Sequence, residues 1–211
     1  IQPTPLTCEC PMQVNTSILS RSERVNRGRG RENQIAKALK TQCHLNIVGA
    51  THEEDCEQKI DRWLIDQNGN RHALQIKYRE TGDDVLFEVF DRFLGFDHPS
   101  NKLGRDVQGG STLYAVLKTD RKTVCMIHCS VARKVIGIML DAVKARGWTV
   151  RGPKSETFYL HAHGVRVELK RQNDPRTGEP KVVAYIPTAY FEAEAQLRAF
   201  KVGLPKNWGT V

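Results

Sequence analysis

A turn signal, Asp66-Gln67-Asn68-Gly69-Asn70, stands between two runs that each read as a β-strand, and this hairpin constrains the chain more than any other stretch. Residues 59–65 and 73–78 carry the apolar and β-forming side chains, and the Asp, Asn and Gly residues between them favour reversal. Side chains alternate faces along a strand, and paired residues share a face. The parity of the loop therefore decides what the hairpin displays. A loop of odd length centred on Gly69 sets Asp61 opposite Lys77 and puts Asp61, Gln75 and Lys77 on one side. A two-residue Asn68-Gly69 turn pairs Asp61 with Ile76 and sends Gln75 and Lys77 to the other face. Asn-Gly-Asn also suits a three-residue loop with a glycine bulge. Only the odd loop groups a carboxylate, an amide and an ammonium, a set that can hold a divalent cation beside a phosphodiester.

The chain has 211 residues, enough for one domain with appendages or two small ones. Its formal net charge of +8 suits a polyanionic partner, because phosphate contacts release counterions. The charge is uneven: Arg24, Arg27, Arg29 and Arg31 crowd a short segment in which Gly28 and Gly30 interleave the arginines. Such a segment reads as mobile and able to track phosphates, or else as a solvated linker. No apolar run is long enough to span a membrane, and no secretory signal is visible. Six scattered cysteines demand no disulfide framework, so a reducing, intracellular setting is expected. Cys125, His128 and Cys129 do not match a common zinc spacing and read better as a strand with buried thiols.

Three regions are expected: an extended basic arm over residues 1–30, a core over 31–147, and a C-terminal hairpin and helix over 148–211 packed on that core. A helix over 31–40 has Ile35, Ala36 and Leu39 as its apolar stripe, and Glu32 falls on the same side. As a carboxylate near a core, Glu32 needs a cationic partner, unless it is a solvated first-turn acid. Residues 85–90 form a third strand containing Glu88. The weakly periodic segment beyond it reads as a long surface loop, where Lys102 and Arg105 suit a nucleic-acid strand. Two strands over 112–117 and 123–128 follow, then a helix capped by Ser130 and closed by Gly147, with Val131, Val135, Ile138, Ala142 and Ala145 as its apolar face. A hairpin turning at residues 173–178 and a helix over 189–201 complete the order. The fold class is α/β, of mixed α+β character, with a central mixed sheet flanked by helices.

Phosphodiester hydrolysis needs an attacking water, neutralised phosphoryl oxygens and a stabilised leaving oxygen. One or two Mg²⁺ ions on carboxylates, with a lysine nearby, supply these. The order Glu32, Asp61, Gln75-Ile76-Lys77 resembles the PD-(D/E)XK nuclease superfamily, the restriction-endonuclease-like fold, in a QxK variant similar to phage and mobile-element members. The resemblance covers residues 31–146. It departs from the usual pattern at Ile60, where a proline is common, and at Gln75, which replaces a carboxylate. It implies a restriction-endonuclease-like core and a Mg²⁺- or Mn²⁺-dependent endonuclease acting on double-stranded DNA, and it admits a homodimer. Asp61 is then the metal anchor, Gln75 a neutral oxygen ligand and Lys77 the catalytic ammonium. Glu32 and Glu88 are the compensating carboxylates.

The loss of charge at Gln75 keeps an alternative open, a nucleic-acid-binding module that retains the fold without activity. A merely polar hairpin on an interaction protein is a third reading. Glu168-Leu169-Lys170 is a second acid-x-Lys sequence, but no aspartate is expected on a preceding partner strand, and alternating charge on an exposed hairpin accounts for it.

Overall fold

The computed structural model describes residues 21–56, 58, 60–78, 82–108, 110–147, 156–174 and 177–204. Residues 1–20 of the arm expected over 1–30, and the side chains of Arg24, Arg27 and Arg105, lie outside what it describes. In chain order the elements are α1 (Arg21–Gln42), β1 (Asn46–Gly49), α2 (His52–Cys56), β2 (Arg62–Ile65), β3 (Arg71–Tyr78), β4 (Asp84–Arg92), β5 (Lys102–Leu103) and α3 (Arg105–Gln108). They continue with β6 (Leu113–Leu117), β7 (Thr123–His128), α4 (Cys129–Ala145), β8 (Glu156–Ala162), β9 (Val165–Asn173), β10 (Pro180–Pro187), α5 (Thr188–Ala193) and β11 (Leu197–Lys201).

The architecture is mixed α/β with two sheets in place of the single central sheet expected. The first runs β1-β2-β3-β6-β7-β11, antiparallel except where β3 and β6 lie parallel. The second runs β5-β4-β10-β9-β8 and is antiparallel throughout. On one face of the first sheet, Ile35, Ala38 and Leu39 of α1 pack with Leu74, Ile76, Ala115 and Val124. A larger core joins Tyr114, Val116 and Ile127 to α4, to β4 and to Val167, Leu169, Ala184 and Phe191 from the C-terminal region. Apolar burial on this scale dominates the favourable side of folding.

Several elements differ from expectation. Helix α1 begins at Arg21, so the arginine-glycine segment lies within a helix. The odd-loop parity is observed with another centre: Arg62 pairs with Leu74 and Ile65 with Arg71, which sets Asp61 opposite Gln75 and not Lys77. Asp66 explains the shift. Its amide donates to the Asn70 carbonyl at 3.0 Å, and its Oδ1 accepts the amides of Asn68 and Asn70. The loop between them is Gln67-Asn68-Gly69, with Gly69 at φ 84°.

The segment after β4 is only partly a loop, since it contains β5 and α3. Helix α4 starts at Cys129, one residue before the expected Ser130 cap, and buries Cys129, Ala132, Val135, Ile136, Met139 and Val143. Ile138 is half exposed. The stripe is rotated because the helix continues directly from β7 and keeps facing the same core. The expected final helix stops at Ala193; Ala195 turns at φ 54°, and β11 then pairs with β7. The exposed edge of β7 recruits those residues into a sheet, overriding their helical periodicity. Before the hairpin turn at residues 173–178, the chain forms two strands, β8 and β9, reversing at His163-Gly164.

Candidate active site

β3 is the element that builds the site. Leu74 and Ile76 face the α1 core, so Gln75 and Lys77 point to the opposite face, level with Tyr114 and Val116 of the neighbouring strand. Gln75 is buried, and Lys77 is partly buried with its ammonium 5.3 Å from the centre of the Tyr114 ring. Asp61 enters from the residue before β2. Glu88 comes from β4, whose neighbours Phe87 and Val89 are buried in the large core. Glu32 comes from α1, half-buried beside its apolar stripe. A cleft of about 670 Å³ brings Glu32, Asp61, Gln75, Lys77 and Glu88 together, with Arg29 and Asn33 also in its wall.

Some cleft residues carried no sequence assignment. His52 and Asp55 of α2 line the cleft, as does Arg62. A signal for α2 was present: in Thr51-His52-Glu53-Glu54 the Thr51 Oγ1 accepts the Glu54 amide at 3.2 Å, and the Glu54 carboxylate accepts the Thr51 amide at 2.7 Å. That reciprocal pair is a capping box, visible as T-x-x-E.

Asp106 of α3 had no such signal. Its side chain is wholly buried, yet its carboxylate accepts from the Lys77 ammonium at 3.0 and 3.3 Å, from the Glu88 amide at 2.7 Å, and from the Tyr114 hydroxyl. Burial, and next the Asp106 charge, push the Tyr114 phenol far up, so it remains a donor. Burial likewise raises the Glu88 carboxyl, with Asp106 adding to the rise and Lys77 opposing it.

The basic candidates separate. Arg29 lies in the cleft wall. Arg31 is buried, with its guanidinium 4.7 Å from the centre of the Tyr78 ring. Lys102 is exposed on β5 and does not line the cleft. Cys125 and Cys129 are free, buried thiols, and burial pushes Cys129 up to about 12.

The second acid-x-Lys sequence lines another groove, of about 580 Å³, which also contains Asp84. The strands that pair with β9, β8 and β10, carry no aspartate, as expected; Asp84 sits on β4, with β10 between it and β9. Its charges are arranged differently from those of the cleft, since Glu168 takes a 3.0 Å contact from Arg166 on its own strand.

The cleft's donors are hard oxygens, the kind Mg²⁺ prefers. Among the described residues, no three carboxylate, imidazole or thiol side chains stand together as a ready metal-ligand group. A Mg²⁺ site does not require three, since the ion commonly keeps one or two carboxylates and completes its shell with water and substrate phosphate. The raised Glu88 carboxyl, which a nearby cation would relieve, fits such a site from the electrostatic side. Among the described residues, no helix is long and apolar enough to cross a membrane. Comparison with protein-family models, curated proteins and solved structures gave no match.

Proposed function

We propose that the chain is a divalent-metal-dependent nuclease that hydrolyses phosphodiester bonds, with double-stranded DNA as the favoured substrate and a restriction-endonuclease-like core as its frame. One observation carries the reading: Asp61, Gln75 and Lys77 share a single cleft with the carboxylates Glu32 and Glu88. Asp61, with Glu32 or Glu88, would hold Mg²⁺ or Mn²⁺, and Gln75 adds a neutral oxygen. The ion supplies charge neutralisation at the phosphoryl oxygens and a template for the attacking water. Lys77 orients that water through its ammonium and offsets charge developing on the phosphoryl group. Arg29, in the cleft wall, offers a phosphate contact. The excess of basic residues favours approach of a polyanion.

A substrate panel of supercoiled duplex, single-stranded, branched and RNA molecules, with Mg²⁺ or Mn²⁺ against an EDTA control, tests the reading. Cleavage of duplex DNA that EDTA abolishes is the expected result. Tight binding across the panel with no metal-dependent cleavage would replace this reading with a nucleic-acid-binding module. Gln75, neutral where the superfamily pattern carries a carboxylate, is the residue that favours that second reading.

A further inference from the structure

We infer that Asp106 is a positioning residue of this cleft, holding the Lys77 ammonium in place and fixing the β4 backbone at Glu88. The inference rests on the nuclease reading and adds to it a residue outside the motif.

Three features of the geometry support it. First, the Asp106 carboxylate lies wholly out of solvent, and its two oxygens are occupied by the Lys77 ammonium, the Glu88 amide and the Tyr114 hydroxyl. A flexible lysine on β3 is thereby tied to a rigid anion, and the same anion fixes the backbone at Glu88. Two cleft residues from different sheets thus share one anchor.

Second, the anchor is itself immobilised. The Gly104 amide donates to the Val89 carbonyl at 2.9 Å, and a Cβ at Gly104 would come within 2.0 Å of the Glu88 carbonyl oxygen. Only glycine lets the chain press so closely on β4 before turning into α3. Third, the Tyr114 ring stacks on Phe87, with centroids 4.9 Å apart, which holds the hydroxyl pointing at the carboxylate.

An ion pair that merely tied α3 to the sheet would need neither a partly exposed lysine in the cleft wall nor a shared contact with Glu88. Restraint of the reacting geometry is the role that explains both, since misplacement by about 1 Å costs on the order of 100-fold in rate.

The unaltered chain, Asp106→Asn and Tyr114→Phe provide the test. Asp106→Asn keeps the size of the side chain and an oxygen acceptor while removing the charge. In metal-free, DNA-free protein, a nitrogen-15 spectrum should contain a slowly exchanging lysine ammonium signal that is absent in Lys77→Arg and lost in folded Asp106→Asn. On supercoiled duplex with Mg²⁺, Asp106→Asn should lower kcat about 100-fold with KM for DNA within about twofold of wild type. Tyr114→Phe should weaken the ammonium signal and lower kcat several-fold, and it decides the matter alone if Asp106→Asn does not fold. A folded variant with wild-type kcat, or with kcat and KM both degraded in step with its thermal stability, overturns the inference. Absence of cleavage by the wild-type chain would instead sink the nuclease reading, a separate result.

Discussion

Glu88 stands on β4 with its carboxyl held above the ordinary glutamate range, chiefly by burial and next by the Asp106 charge. The folded state therefore binds its proton more tightly than the unfolded chain does. Stability attributable to this group is full at low pH and is lost as pH rises from the ordinary glutamate value through the raised one. Glu88→Gln should melt above wild type at pH 8, and the difference should vanish at pH 4. Thermal melts across that range check it, and a difference independent of pH would contradict it. Added Mg²⁺ should raise the wild-type melting temperature more than that of the variant, because a ligand that binds only the folded state stabilises it. At this scale the candidate residues Asp61, Gln75 and Lys77 were legible, but their sharing one face was not, because it required an odd loop that the residue types left open. Asp106 was not, because its role depends on a contact 29 residues from Lys77 that no periodicity encodes.

The hairpin carries the site at the scale of elements. Asp66 sets its register: the carboxyl is lowered to about 2, first by the Asn70 side chain and then by the Asn70 amide. Its contribution is present above the ordinary aspartate range and is lost as pH falls through about 2. Gly69 closes the loop at φ 84°, with nothing near enough to obstruct a Cβ. Gly69→Ala should therefore cost about 1 kcal/mol, the conformational penalty of the left-handed region. Urea denaturation measures it, and an unchanged midpoint would contradict it. The turn was readable from residue types, but its parity and centre were not, because Asn-Gly also suits a two-residue turn and the Asp66 hydrogen bonds fix the pairing. The α4 face and β11 were misjudged for a related reason. Both are decided by the neighbouring strand β7, which supplies a continuous core on one side and an open edge on the other.

The whole molecule is stitched together by strands from the C-terminal region. β10 pairs with β4, and β11 pairs with β7. Val167, Leu169, Ala184 and Phe191 share a core with Phe87, Tyr114 and Ile127. A fragment of residues 1–147 would leave that core open, so it should show no cooperative thermal transition where the full chain shows one. A cooperative melt of the fragment would mean that the first 147 residues fold alone. A boundary near Gly147 was suggested by the change of pattern along the chain, whereas strand exchange between sheets is a long-range choice that local patterning does not record. Charge acts at this scale too. The logarithm of DNA affinity should fall linearly with the logarithm of salt concentration, and Arg29→Gln should reduce that slope by about 0.9 if Arg29 neutralises one phosphate.

The central claim is tested most directly by single-turnover cleavage of duplex DNA with Mg²⁺, comparing wild type with Asp61→Ala and Lys77→Ala at protein concentrations where all three bind the substrate. The account predicts cleavage by wild type, a loss of at least about 100-fold in both variants, and DNA affinity retained in the absence of metal. Cleavage at the wild-type rate in both variants would contradict it.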